Sequence, residues 1–432
     1  MNSVRQRQLL LALVALVTIG STILVATASS QARPPVPEAW VGSWSAAPAP
    51  GPLPGPAVEP LSVNGFHDQT VRMMVHTSVG GDKARVRLSN RFGAKPLTVG
   101  HVTLALPFPD AGAGDLKPNS IHELTFSGQR SVTVPVGGSV FSDVVTMDVP
   151  WTADVAISVY LPGDSGPPTV HYNAKTTTYI GPGDDASAPS GASLAKTIRT
   201  WYFISGLDVL NRTGAGAVAV LGDSTSEGYA TTANANHRWT DYLAARLAKA
   251  EPGRAPGVLN EAMSGNRLGH DGTEWKNPQT GINALARFYS DVAGQTGVRA
   301  VILELGINDI WISHDDANTI ISEMQQIVTL AHEKSLKIFV CTLMPWNAFS
   351  ADPTHGVVNY TLALDSIRLA VNSYLRTTSD FDGLIDFDVT MRDPTDPTKL
   401  KAAWDSGDHI HPNDAGNAAM AAAFPLDLLL HL

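Results

Sequence analysis

The chain reads as an all-β sandwich followed by an α/β region built on one doubly wound parallel sheet. Three observations predict this. Short period-2 apolar runs, separated by Gly, Pro, Asp and Asn, fill the stretch from about Thr70 to Asn211. From about Gly214, continuous apolar runs alternate with longer amphipathic stretches of helical period. The 432 residues, 44% hydrophobic and 16% charged, are globular in composition and leave room for two or three domains.

Taken in order, residues 1–28 have the parts of a signal peptide: Arg5 and Arg7, the apolar run Leu9 to Val25, and the small-residue exit Ala26-Thr27-Ala28. A retained anchor is the competing reading; Thr18, Ser21 and Thr22 within the apolar run favour cleavage, and export is expected. Residues 29–60 form a lead-in with nine prolines, in which Trp40-Val-Gly-Ser-Trp-Ser is set to dock its tryptophans. Residues 61–212 are assigned to the sandwich. Its strands include Val71-Arg-Met-Met-Val-His, Ala84-Arg-Val-Arg-Leu-Ser, Val102-Thr-Leu-Ala-Leu and Val155-Ala-Ile-Ser-Val-Tyr, and Gly181 to Leu194 reads as a surface loop.

Residues 213–432 carry five apolar strands beginning near Ala217, Val258, Ala300, Ile338 and Leu384. Helical periods run near 239–250, 282–292, 317–333 and 358–376. Five strands in this length fit a flavodoxin-like sheet, whose sites form at the carboxyl ends of the strands.

Composition excludes some functions. Thirty Lys and Arg against 40 Asp and Glu give a net charge of −10 with no basic run, which argues against nucleic acid as a partner. The single cysteine, Cys341, rules out an intramolecular disulfide and a Cys-based zinc cluster; its apolar setting reads as a buried, inert thiol.

The strand-end rule selects the chemistry. Gly222-Asp223-Ser224-Thr225-Ser226-Glu227-Gly228 follows the first strand, Met263-Ser264-Gly265-Asn266 the second and Gly306-Ile307-Asn308-Asp309 the third. Beyond the fifth lies Asp405-Ser-Gly-Asp408-His409-Ile410-His411-Pro412. In this order the blocks resemble the GDSL-type SGNH hydrolases, a family of serine esterases and acylhydrolases. The likeness covers about the last half of the chain. The β-rich front half, followed by Leu221-Gly-Asp-Ser and Arg238-Trp-Thr-Asp, is similar to the branch containing bacterial xylan-esterase-like acylhydrolases.

The resemblance implies Ser224 as nucleophile, His411 as its general base and Asp408 as the group that orients His411. It implies an oxyanion hole made of the Ser224 and Gly265 backbone N–H groups and the Asn308 side-chain amide. The chemistry is coherent: a serine hydroxyl needs a neighbouring base, and a carboxylate fixes the tautomer of that base and stabilises its charged form. Asn308 donates without adding charge, and one such donor contributes roughly 3–4 kcal/mol to the transition state.

Rival readings exist for several positions. Ser224 has good capping chemistry. His409, four residues after Asp405, competes with His411 as base, although the Asp-x-x-His spacing favours His411. A metal site at Asp408, His409 and His411 is disfavoured because no third clustered histidine or cysteine is present, so no metal or cofactor is expected. Trp275, Trp311 and Trp346 lie near the rim and are expected to line the substrate, against the alternative of ordinary packing. Glu227, His270 and His314 are candidate supporting polar groups.

The resulting expectation is an exported serine ester hydrolase acting through an acyl-serine on short acyl or O-acetyl groups of carbohydrate. Lipid-ester hydrolysis is the runner-up, and a non-catalytic glycan-binding protein is the rival from another class. The expected partner is a small-molecule or polysaccharide ester, with no stable membrane insertion once the leader is removed.

Overall fold

The computed structural model describes residues 38–432 except 57, 109–113, 212, 213, 215 and 350–359. The expected signal segment 1–28 and the first part of the lead-in lie outside the described residues.

In the first region the strands that matter most are β1 (Ala39–Ser45), β2 (Gln69–His76), β3 (Gly81–Ser89), β4 (Asp154–Leu161) and β5 (Ile204–Asn211). One antiparallel sheet runs β1–β5–β3 and continues to Val145–Val149. A second has β4 between β2 and His101–Ala105. Val71, Met73 and Val75 of β2 and Val155, Ile157 and Val159 of β4 share one core with Val86 and Leu88 of β3 and Leu207 and Val209 of β5. This two-residue period lays every second side chain between the sheets, and each large apolar one contributes about 1.5–3 kcal/mol when fully buried.

Two details differ from the sequence reading. The proline-rich lead-in contains a strand, because β1 pairs with β5 through a bulge between Gly42 and Trp44. The Gly181–Leu194 stretch is not simply a surface loop: Ala186 and Leu194 are buried. Beneath it lies Arg72, whose guanidinium donates to the carbonyls of Gly114, Asp185 and Ala188. Burial pushes the Arg72 pKa down to about 10.

The second region is a five-stranded sheet of β6 (Ala217–Gly222), β7 (Gly257–Asn260), β8 (Val298–Glu304), β9 (Lys337–Cys341) and β10 (Gly383–Ile385). Its order is β7–β6–β8–β9–β10 and every pair is parallel, the flavodoxin-like arrangement. The helices that frame the site are α1 (Ser224–Glu227), α2 (Trp239–Ala250), α3 (Ala317–Glu333), α4 (Leu362–Thr377) and α5 (Asp414–Ala423).

Both faces of the sheet are covered, which is why its strands are apolar throughout. Ala219, Leu221, Val301 and Leu303 face α3 and α4, while Val218, Val220, Ala300 and Ile302 face α2 and α5. Helix α3 buries Ile320, Met324, Ile327, Val328 and Ala331, the stripe its period predicts, and Asp316 caps it by accepting from the Thr319 N–H at 2.8 Å. The helical period near 282–292 is realised as a short helix, Ala284–Phe288, running into a wide turn at Tyr289–Ala293.

Cys341 is buried, and burial pushes its thiol well above the ordinary range. Among the described residues no helix is long and apolar enough to cross a membrane.

Candidate active site

Strand β6 delivers the first block. At its end the chain turns sharply into α1, where the Asp223 carboxylate accepts from the Thr225 N–H at 3.0 Å and Gly228, at φ +86°, closes the helix after one turn. Asp223, not Ser224, therefore does the capping, and the Ser224 hydroxyl is left for other work. Its Oγ lies 2.7 Å from His411 Nε2, and His411 Nδ1 lies 2.6 Å from Asp408 Oδ2.

Asp408 is itself held. Its Oδ1 accepts from the backbone N–H groups of Ile410 at 3.0 Å and His411 at 2.8 Å. Burial alone would raise its pKa, but the His411 hydrogen bond and charge and these two N–H groups hold it well below the usual carboxylate range. An ionised carboxylate only accepts, so Nδ1 carries the imidazole proton and Nε2 presents its lone pair to the serine. His409 is placed elsewhere. Its Nδ1 meets Asp405 Oδ2 at 2.6 Å and its side chain is 46% exposed.

Gly265 has φ +76°, a left-handed conformation that glycine adopts without strain. Among the described residues, no hydrogen-bond partner is found for the Ser224 or Gly265 amide N–H. The Asn308 side-chain amide lies between Asp223 Oδ2 and the Asn266 carbonyl, donating to each at 3.1 Å. An oxyanion would share one of those protons.

Behind the serine lies a layer of buried acid. Burial raises Asp223 to about 6 and lifts Glu304 well above its ordinary value, the nearby Asp223 charge adding to the Glu304 shift. Ser226 Oγ donates to Glu304 at 2.7 Å and receives a hydrogen bond from the Trp239 indole N–H at 3.0 Å.

The three rim tryptophans separate. Trp346 is fully buried against Phe349 and Tyr360, with ring centroids 6.3 and 5.5 Å away, so it lines the core and not the substrate. Trp311 is also buried, edge-on to Trp275 at 6.0 Å and to Phe349 at 5.3 Å. An apolar residue just past a strand end can turn inward or outward, and periodicity does not distinguish the two. Trp275 remains half-buried, with Cζ3 only 3.3 Å from where a Cβ on Gly265 would lie. His270 bonds Glu274 at 2.9 Å and faces Asp315 at 3.2 Å, whereas the buried Glu227 carboxylate accepts from the Ser264 hydroxyl beside Gly265.

Two contributors escaped the sequence reading. Tyr229, 52% exposed, lays its ring over His411 with centroids 4.5 Å apart. Asn173, in the first region, donates to Glu227 at 2.9 Å. Tyr229 directly follows the serine block, which is the one signal that pointed to it; Asn173 had none.

Asp309, Asp315 and Glu323 bring carboxylate oxygens within 4.8 Å of one another, the one such group among the described residues with metal-ligand spacing. Burial raises Asp309 to about 8 and Glu323 above its ordinary value, as expected of carboxyl groups that keep protons.

Residues 220–419 match the family model for the GDSL-like lipase/acylhydrolase family. A search of the curated proteins gave no match. Among solved structures, the chain is similar to the carbohydrate acetylesterase Est24 from Sinorhizobium meliloti, at 17% identity, covering 48% of this chain and 95% of that one with a TM-score of 0.37. It is also similar to the aryl esterase of M. smegmatis, at 18% identity, covering 48% and 95% with a TM-score of 0.38. A GDSL-like lipase from Bacteroides thetaiotaomicron follows at 15% identity, 50% and 88% coverage and a TM-score of 0.34. The match places a GDSL-like lipase/acylhydrolase domain at residues 220–419, and the chain is a serine carboxylic-ester hydrolase.

Proposed function

We propose that the chain hydrolyses short-chain carboxylic esters, O-acetyl groups on carbohydrate foremost, through an acyl intermediate on Ser224. The observation that carries this is the unbroken chain Ser224 Oγ, His411, Asp408 at 2.7 and 2.6 Å. His411 Nε2 takes the hydroxyl proton as Oγ attacks the ester carbonyl. Asp408 stabilises the imidazolium so formed without taking its proton. Charge gathers on the carbonyl oxygen, where the Ser224 and Gly265 N–H groups and the Asn308 amide receive it. His411 then protonates the leaving alcohol. A water enters, gives its proton to the same Nε2 and releases the acid.

The preference for a short acyl group is supported by the half-buried ring of Trp275, which packs close beside Gly265. Export is read from residues 1–28 alone and is proposed with the same substrate in view. The test is a release assay with acetylated polysaccharide, acetylated monosaccharide and phospholipid side by side, together with fluorophosphonate labelling. Acetate release and labelling that disappears in Ser224→Ala are expected. Faster turnover of phospholipid or long-chain esters overturns the substrate class, and an unlabelled wild type overturns the acyl-serine in favour of the glycan-binding rival.

A further inference from the structure

Glu227 closes α1, one turn after Ser224, and its carboxylate is buried. Three groups converge on it. Oε2 accepts from Asn173 Nδ2 at 2.9 Å and from the Ser264 hydroxyl, while Oε1 faces His171 Nε2 at 3.5 Å. Ser264 immediately precedes Gly265, so a single carboxylate oxygen ties the end of the serine helix to the loop carrying the second oxyanion N–H.

Asn173 and His171 come from the first region, and they are reinforced on both sides. Lys175 Nζ donates to the Tyr229 carbonyl at 2.8 Å, and the Asn234 N–H donates to the Lys175 carbonyl at 2.8 Å. Arg238 Nε donates to the Glu227 carbonyl at 3.0 Å, and its Nη2 reaches the carbonyl of Ala174.

We propose that Glu227 is a positioning residue for the oxyanion hole, and that Asn173 of the β region completes that hole by holding Glu227 on Ser264. The proposal rests on the acyl-serine reading above. The hydrogen bond fixes Glu227 Oε2, Oε2 fixes Ser264, and Ser264 sets where the Gly265 N–H points relative to the Ser224 N–H. Misplacing a reacting group by about 1 Å can cost on the order of 10²-fold in rate. Because the oxyanion exists only in the transition state, the loss falls on kcat and not on KM.

The protonation pattern defines a conservative substitution. His171 Nδ1 lies 3.0 Å from the Ala47 carbonyl, which can only accept, so Nδ1 carries the proton and Nε2 offers its lone pair toward Glu227. Glutamine at 227 keeps one oxygen for Asn173 and Ser264 and turns its N–H₂ to that lone pair.

The test uses the full chain with p-nitrophenyl acetate. Asn173→Ala, Ser264→Ala and Glu227→Ala are expected to lower kcat about 10- to 100-fold with KM within about threefold, and to slow fluorophosphonate labelling in parallel. Glu227→Gln is expected to stay within about fivefold of wild type. Asn173 is only partly buried, so its variant folds even if Glu227→Ala does not. Asn173→Ala with kcat and KM both within twofold of wild type overturns the proposal, as does Glu227→Gln falling as far as Glu227→Ala. Failure of the acyl-serine reading itself looks different: turnover then survives in Ser224→Ala.

Discussion

Replacing Asp408 by asparagine changes one atom and tests the whole relay. The orientation of the new amide is dictated by the backbone. Oδ1 of Asp408 accepts from the Ile410 and His411 N–H groups at 3.0 and 2.8 Å, so asparagine keeps its oxygen there and presents N–H₂ to His411 Nδ1. Two donors cannot pair, so Nδ1 must lose its proton and Nε2 must carry it. The base then has nothing with which to accept the Ser224 proton. Flipping the amide forfeits two backbone hydrogen bonds at about 1 kcal/mol each, which leaves about one molecule in 30 in the working orientation. Losing the charge opposite the developing imidazolium removes about 1.5–3 kcal/mol more. Together these predict a fall in kcat of about 10³-fold, approaching the ~10⁴ known for the corresponding change in a serine protease. The assay is steady-state hydrolysis of p-nitrophenyl acetate, with circular dichroism to confirm folding. A folded Asp408→Asn enzyme within tenfold of wild type would refute the tautomer argument.

Other expectations follow from the same geometry. His411→Ala should abolish turnover, whereas His409→Ala, whose ring is exposed and engaged by Asp405, should stay within about threefold; the reverse pattern would reassign the base. Tyr229→Ala removes a ring contact of about 0.5–1.5 kcal/mol against His411 and should lower kcat/KM up to about tenfold, while Tyr229→Phe should not; equal losses in both would point to the hydroxyl instead. Stability should fall as pH rises. Burial raises Asp223 to about 6, Glu227 to about 7, and Glu261 and Asp309 to about 8, so between about pH 4.5 and 8 the native chain holds protons that the unfolded chain has lost. The contribution is complete below the unfolded value, is lost progressively from about pH 4.5 and is gone above about pH 8, and buried His171, held down to about 4, opposes it only below about pH 6.5. The Tm should be several degrees higher at pH 5.5 than at pH 8.5, and a flat or rising thermal-melt profile would contradict it.

The proposed catalytic residues were legible in the sequence as short linear blocks whose order resembles a known family, three of them shortly after parallel strands, where the fold class places chemistry, and the last in the long segment beyond β10. Ser224, Gly265 and Asn308 lie in the loops that leave β6, β7 and β8, and Asp408 and His411 share one Asp-x-x-His block. What escaped depended on contact between distant segments. Asn173 is 54 residues from Glu227, and no local pattern marks either as a partner of the other. The β1 strand was hidden by the prolines around it. Trp346 looked like a rim residue because sequence places it after a strand end but says nothing about the direction of its ring. The buried acids at 223, 261 and 304 were unreadable for the same reason, since burial is a tertiary property.

The first strand has a consequence for how the chain can be divided. Parallel strand β7 lies at the edge of the hydrolase sheet, and the chain just past β1 meets it: Ala46 bridges Asn260 in parallel, and the absent side chain of Gly42 leaves room for Leu259, whose Cδ1 would lie 2.7 Å from an added Cβ. The front of the molecule therefore screens a β edge that would otherwise offer free N–H and C=O groups to any passing chain. A hydrolase excised at the change of texture near Gly214 would keep all three residues of the relay, yet it would expose that edge and invite self-association.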